Sequence, residues 1–394
     1  MVSRTLDSPQ SIASVILLFT YNGLVIGTYM ASIPILSATF HLSTIQLGLL
    51  LLTVGLAAVV TMQVSGRLAD SIGARRVCLA MIIPLIIAAT GLALAPSYAL
   101  LLVTGVFLGM GNGGIDVAMN ALAVHVERYR LQNGSKPIMN FFHGMWSIGS
   151  FIGSFSISMA GTAIGLSEGL TIKVIALIAA GIGTIAWFIA FMITPETEKV
   201  VHRTETGEKT PIPRAAYLLG IMAIAFGLGE GTAMDWSGRH VLFITGVDSR
   251  WATWTVTALT AAMVIIRMTG DFLVTKIGAK NLVRVGGLLA VAGYLTAAFA
   301  TPFPVLIAAW ALVGLGIGVV APQVFAAAGH MAGGRGLAVV VTFGYATFLI
   351  GPVLVTALVE RFGIDRAMIV PAVLLLGLVA LVGIALKDDT RTTH

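Results

Sequence analysis

Long apolar runs separated by short polar breaks fill the chain from end to end. The runs approach the roughly 20 residues that a helix needs to cross the hydrocarbon core of a bilayer. They are continuous rather than alternating. They therefore read as helices, which satisfy their own backbone hydrogen bonds, and not as barrel strands. The pattern predicts twelve helices, at about 12–36, 45–65, 77–95, 99–126, 138–165, 170–194, 214–245, 252–270, 282–300, 304–330, 337–359 and 367–386. The longest polar stretch, residues 195–213, holds Glu196, Glu198, Lys199, His202, Arg203, Glu205, Glu208 and Lys209. It reads as a cytoplasmic linker between a six-helix bundle over 1–194 and a second over 214–394.

Composition sharpens this picture. Of 394 residues, 57% are hydrophobic and 10% are charged, with a mean hydropathy of +0.97. A soluble domain carries about 25% charged residues, so the chain belongs in a lipid bilayer. The net charge of +6 matters less than its placement. Of the 23 Lys and Arg, all but Lys173, Arg239, Arg250, Arg361 and Arg366 fall on one face of the predicted topology. That asymmetry predicts a multi-pass protein with both termini in the cytoplasm, and it explains the basic residues without any nucleic-acid partner. The one cysteine, Cys78, has no intrachain disulfide partner. The first apolar run is too long for a signal-peptide core.

A repeat runs through the sequence. Ile277-Gly278-Ala279-Lys280 echoes Ile72-Gly73-Ala74-Arg75 at an offset of 205 residues. Gly109, Gly111 and Gly113 are matched by Gly314, Gly316 and Gly318 at the same offset, and Gly23 and Gly27 by Gly227 and Gly231 at 204. Small residues at such spacings let helices approach closely.

The polar stretch between the second and third runs, Gly66-Arg67-Leu68-Ala69-Asp70-Ser71-Ile72-Gly73-Ala74-Arg75-Arg76, resembles the loop between helices 2 and 3 of the major facilitator superfamily of transporters. The family pattern there is roughly G-x-L-a-D-r-x-G-r-r. The resemblance implies an all-α membrane fold, with twelve transmembrane helices in two six-helix pseudo-repeat bundles and a substrate site near the bilayer midplane. It also implies a cytoplasmic gate built on Gly66, Arg67, Asp70, Gly73, Arg75 and Arg76. The second copy departs from the pattern, since Val274 or Thr275 stands where the Asp would be. Helix 4, the Phe-His-Gly-x-Trp-Ser motif of helix 5 and the Glu-Gly-x-x-x-Asp-Trp-Ser motif of helix 7 are similar to a bacterial subgroup of rhizopine-type and fucose-permease-like transporters. That likeness implies the bacterial inner membrane.

Charge inside a bilayer is costly, so each intramembrane ionisable group is a functional candidate. Asn112, Asp116 and Asn120 follow each other at four-residue steps and share one helix face. Asp116 reads as a proton or substrate site, with a structural hydrogen-bonding acid as the competing reading. Helix 5 offers Asn140, His143 and Trp146. Counting from the connecting loop sets His143 about level with Asn120, which allows an Asp116–His143 proton relay; a purely structural histidine is the alternative. Glu230 lies among Gly227, Gly229 and Gly231, roughly 24 Å up its helix, in the expected outer half of the membrane. Tyr21, Asn22 and Tyr29 of helix 1, with Gln323 of helix 10, suit a polyhydroxylated ligand through amide hydrogen bonds and ring stacking. Buried amides also hold helices together, which is the plainer reading. Arg267 and Asp271, four residues apart at the expected cytoplasmic end of helix 8, read as a gating or structural ion pair.

No metal-ligand spacing, nucleophile motif or phosphate-binding loop is present, which argues against an enzyme, a metal or a cofactor. Energy for transport is then expected from an ion gradient: protons, with sodium as the alternative. The reading that emerges is a proton-coupled transporter of a small polar organic solute, of the sugar, cyclitol or amino-sugar kind. One chain holds both halves, so a monomer suffices. The alternative is a drug or metabolite efflux antiporter. Antiporters of the family usually carry an Arg in helix 4 and a Gly-Pro pair late in helix 5, and this chain has neither there.

Overall fold

The computed structural model describes residues 8–135, 138–196 and 214–385. Most of the expected linker, and both chain ends, lie outside the described residues. Helices make up the described chain: α1 (Pro9–Thr39), α2 (Thr44–Ile72), α3 (Ala74–Leu94), α4 (Tyr98–Gln132), α5 (Met139–Thr162), α6 (Glu168–Ile193), α7 (Arg214–Thr245), α8 (Ser249–Ala252), α9 (Trp254–Ile277), α10 (Ala279–Phe299), α11 (Phe303–Ile317), α12 (Val320–Phe362), α13 (Ile364–Ala367) and α14 (Ile369–Ala385). Among the described residues, eleven segments are long and apolar enough to cross a membrane. The 24-residue α5, with its five serines, Asn140 and His143, is a more polar twelfth.

Local chemistry sets the helix ends. Ser43 and Gln46 form a reciprocal capping box at the start of α2, at 2.9 and 3.2 Å. Ser8 caps α1, where Pro9 occupies the first turn. Gly73, at φ 95°, ends α2 and starts α3 in one residue, and Gly278, at φ 78°, does the same between α9 and α10. Glycine carries no Cβ penalty at positive φ, so the echoed Ile-Gly-Ala motif is the same tight reversal made twice.

Two expectations need correction. The stretch Gly66–Ile72 is helical rather than a loop, and α9 runs on to Ile277. A helix whose side chains turn polar keeps its backbone ladder, so it extends past the apolar run that announces it. Likewise, the break expected at about 331–336 is absent: α12 is helical throughout, and the interruption falls at Gly318 and Val319. Pro322 has no N–H to offer the Gly318 carbonyl four residues earlier, so the ladder fails there. Glycines at 333, 334 and 336 only lower helix propensity.

The chain forms two compact units, one of Met1–Glu205 with Asp248–Thr257, the other of Thr206–Val247 with Ala258–His394. In the first, α1 packs along α5 and α6, while α4 packs on α2 and α3. In the second, α7 packs on α12 and α14, and α10 on α11 and α14. The repeated glycines explain the closest crossings. A Cβ on Gly109 or Gly113 would strike backbone oxygens of α2, and one on Gly111 would strike Leu85 of α3. Gly314 faces the Leu259 carbonyl of α9 in the same way, Gly318 faces the Ile266 side chain of α9, and Gly316 faces α10. On α1, Gly23 and Gly27 abut the carbonyls of Trp146 and Ser150; on α5, Gly149 and Gly153 abut those of Thr20 and Leu24. Apolar side chains such as Leu56, Val60 and Val64 of α2 stay exposed at four-residue steps, as a lipid-facing stripe requires.

Residues 248–257 join the first unit through hydroxyl groups. Ser158 of α5 bonds Thr253 at 2.8 Å and Thr257 at 2.9 Å. The Trp254 indole donates to Thr162 at 3.2 Å, and Ser249 bonds Glu168. Just before α8, Asp248 accepts from Arg250 Nε and Nη2 at 2.8 and 2.7 Å. These bonds hold its carboxyl below the usual carboxylate range.

Candidate functional site

Polar groups collect at mid-helix depth in each unit. In the first, α4 turns Asn112, Asp116 and Asn120 onto one half-buried face, with Gly113, Gly114, Ile115, Ala118 and Met119 buried beside them. Asn120 Nδ2 donates to the Asp116 carbonyl at 2.8 Å and to its Oδ1 at 3.2 Å. The acid is thus held from its own helix. His143, half-buried on α5, sets its ring edge-on to Phe19 of α1 at 5.3 Å. Of the two ends of the expected relay, Asp116 thus touches Asn120 and His143 touches Phe19.

Asn22 is fully buried on α1 and accepts from the Trp146 indole at 3.0 Å. The contact ties α1 to α5 at the glycine crossing itself, beside Gly23. Replacing Asn22 with Ala removes that acceptor. The expected cost is about 1–3 kcal/mol, read as a lowered melting temperature that Trp146→Phe largely restores in the double variant.

The other residues of helix 1 point elsewhere. The Tyr21 hydroxyl lies where a side chain on Gly183 of α6 would be, in the α1–α6 seam. Tyr29 lines a small, mainly apolar cavity inside the first unit, with Thr28, Ala88, Leu92, Thr104 and Ala179. Asn140 is exposed in the first turn of α5. Just before it, the Glu127 carboxylate caps the helix by accepting from the N–H groups of Ile138 and Met139 at 2.7 and 2.6 Å. Gln323 is half-buried in the first turn of α12.

The residues of the gate motif separate into two groups. Arg67 and Arg76 are exposed, whereas Gly66 and Asp70 are half-buried at the end of α2. Arg75 binds Glu196, donates to the Phe191 carbonyl at 2.7 Å and lies over the Phe191 ring. It ties the start of α3 to the end of α6 within the first unit.

The second unit holds a pair that sequence spacing does not reveal. Glu230 stands sixteen residues from the start of α7 and fifteen from its end, and so at mid-helix. Arg267 stands ten residues before the end of α9, away from the helix end where it is expected. Its Nη2 binds Glu230 Oε1 at 2.9 Å, and its Nε points to the Gly318 carbonyl at 3.4 Å. That carbonyl is the one released by Pro322. Asp271 lies one turn further along α9, exposed. Tyr294 donates to the Gly229 carbonyl at 2.5 Å, and its ring meets Trp310, which meets His240 edge-on. This aromatic column fixes the backbone next to Glu230. Pro322 was the sequence signal for the free carbonyl; nothing in the local pattern marks Tyr294 or Trp310.

Comparison with known proteins places the chain. The family model described as Major Facilitator Superfamily matches residues 15–246 and 216–394. The uncharacterized transporter y4wD of Sinorhizobium fredii is 32% identical over 347 residues, covering 87% of this chain and 89% of that one. Membrane protein MosC of Rhizobium meliloti is 28% identical over 362 residues, covering 91% and 86%. Among solved structures, a variant of the E. coli fucose:proton symporter FucP superposes with a TM-score of 0.68 at 16% identity, covering 98% of this chain and all of that one.

Proposed function

This chain belongs to the Major Facilitator Superfamily, and we propose that it moves a small polar organic solute, of the sugar, cyclitol or amino-sugar kind, by proton-coupled alternating access. It is a multi-pass membrane transporter and not an enzyme. The observation that carries the finer reading is the polar face of α4. A carboxylate at Asp116 sits among glycines and apolar residues with an amide one turn to either side. An acid with so few partners gains or loses a proton at little structural cost, and its charge then biases which conformation is occupied. Asn112, Asn120, His143 and Glu230 are the further proton or solute residues of this reading. Trp146 and Gln323, both half-buried, complete the solute-binding set, whereas Asn22, Tyr21 and Tyr29 are buried within the first unit and Asn140 is exposed in the first turn of α5. Arg67, Asp70, Arg75, Arg76 and Asp271, with Gly66 and Gly73, serve the cytoplasmic gate, whereas Arg267 belongs with Glu230 at mid-helix. The fold shared with a fucose:proton symporter is consistent with this reading. Both termini are taken as cytoplasmic, in a bacterial inner membrane.

Reconstitution tests it. Proteoliposomes carrying a trapped pH dye are given gradients of sugars, cyclitols, amino sugars and cationic dyes. Acidification of the lumen together with entry of a sugar-like compound is the expected result. Proton movement opposite to a cationic dye would replace the symport reading with an efflux antiporter. Coupling to sodium with no proton movement would keep the transporter and change the ion.

A further inference from the structure

We propose that the transported solute carries an acidic group, a carboxylate, and that this group takes the place of Glu230 on the Arg267 guanidinium. The inference rests on the transport reading above and narrows its solute.

At about 1.5 Å per residue, both side chains stand 15 Å or more from either end of their helices. A guanidinium at that depth is costly unless it is paired, and Arg267 is paired, with Glu230 at 2.9 Å. A pair needed only to hold two helices together would be expected to be sealed. This one is not: the Arg267 and Glu230 side chains are 11% and 24% exposed. A Cβ on neighbouring Gly231 would meet nothing within 4 Å. Its repeat counterpart, Gly27, is wedged against a backbone carbonyl. Among the described residues, nothing therefore presses on this glycine of the second unit, at the position where the first unit has a backbone carbonyl.

The chemistry selects the occupant. The guanidinium is planar, always charged and rich in forked donors, so it recognises a carboxylate better than a hydroxyl. A neutral solute would have to displace Glu230 and leave both charges uncompensated. A carboxylate solute exchanges like for like once Glu230 takes up a proton. The proton arrives from the aqueous phase on the Glu230 carboxylate. The Nη2–H···Oε1 contact opens, and the solute carboxylate accepts the guanidinium N–H in its place. When the solute leaves, Glu230 gives up the proton and closes on Arg267 again. The Gly318 carbonyl, freed by Pro322, and the Tyr294–Gly229 bond keep the two partners in place during the exchange.

The test uses the purified full chain and follows thermal stabilisation by glucuronate and gluconate, with glucose and inositol as neutral probes. Glu230→Gln imitates the protonated state and should lower the half-saturating glucuronate concentration at least tenfold. Arg267→Gln, and the charge-balanced Glu230→Gln/Arg267→Gln double variant, should lose the response. If Glu230→Gln proves too unstable to purify, wild type against the double variant gives the same contrast. Equal glucuronate response in wild type and Glu230→Gln, retention of the response in the double variant, or no response to either acid in any protein would each overturn the inference. Glucose or inositol entering proteoliposomes in that last case would leave the transport reading standing. An Arg267-dependent response to glucuronate with no solute entering vesicles would support the anion site and remove the transport reading.

Discussion

Gly27→Val is expected to abolish the folded protein. A side chain there would be driven into the Ser150 carbonyl of α5. Inserting methylene groups into a packed core ordinarily costs about 1–3 kcal/mol, because neighbouring side chains can yield. Here the obstacle is a backbone, and the opposing Gly149 and Gly153 are pressed against α1 in turn. Relief requires the two helices to part along their whole contact. The cost should exceed about 3 kcal/mol, a large share of a total stability of about 5–15 kcal/mol. Gly181→Ala is the matched control, because a Cβ there meets nothing within 4 Å. The check is the monodisperse yield and melting temperature of both variants in one detergent. Wild-type behaviour of Gly27→Val would mean that the α1–α5 crossing is looser than described.

The second large effect concerns coupling. Asp116→Asn preserves shape, and the bond from Asn120 to the residue 116 carbonyl survives it, since a backbone oxygen is the acceptor. The variant should fold, bind solute and exchange it across the membrane. It should accumulate less solute than the wild type. A gradient of one pH unit stores about 1.4 kcal/mol per proton, equivalent to tenfold accumulation. Loss of the titratable group at 116 should lower the internal-to-external ratio well below that value, leaving only what a proton on Glu230 can drive. Radiolabelled solute in vesicles with an imposed pH step measures that ratio, and counterflow measures exchange in the same preparation. Full accumulation by Asp116→Asn would remove this residue from the coupling step.

Much of the architecture was legible in the chain because its causes are local or periodic. Apolar runs mark spans. The offset of 205 residues aligns Gly109, Gly111 and Gly113 with Gly314, Gly316 and Gly318, and each triplet presses on the corresponding pair of helices. Gly73 and Gly278 make the same reversal. Helix ends were less legible, since α2 and α9 continue as helices through polar residues that a bilayer would not hold. The facing of individual side chains was least legible. Helix α1 is apolar almost all round and buried on most sides, so its periodicity gives no direction. Nothing in the sequence says that Tyr21 turns to α6 while Asn22, one residue on, turns to Trp146. The Glu230–Arg267 pair was hidden for another reason. Its members lie 37 residues apart on different helices, and only packing brings them together.

The hydroxyl seam formed by Ser158, Thr162, Thr253, Trp254 and Thr257 bears on how the protein can be cut. Ten residues translated after the linker complete a unit whose other residues are translated before it. A gene divided at the linker would therefore encode the first folded unit in two pieces, one of them embedded in the opposite polypeptide. Split expression would thus be a complementation between interlocked fragments, not an assembly of two finished modules.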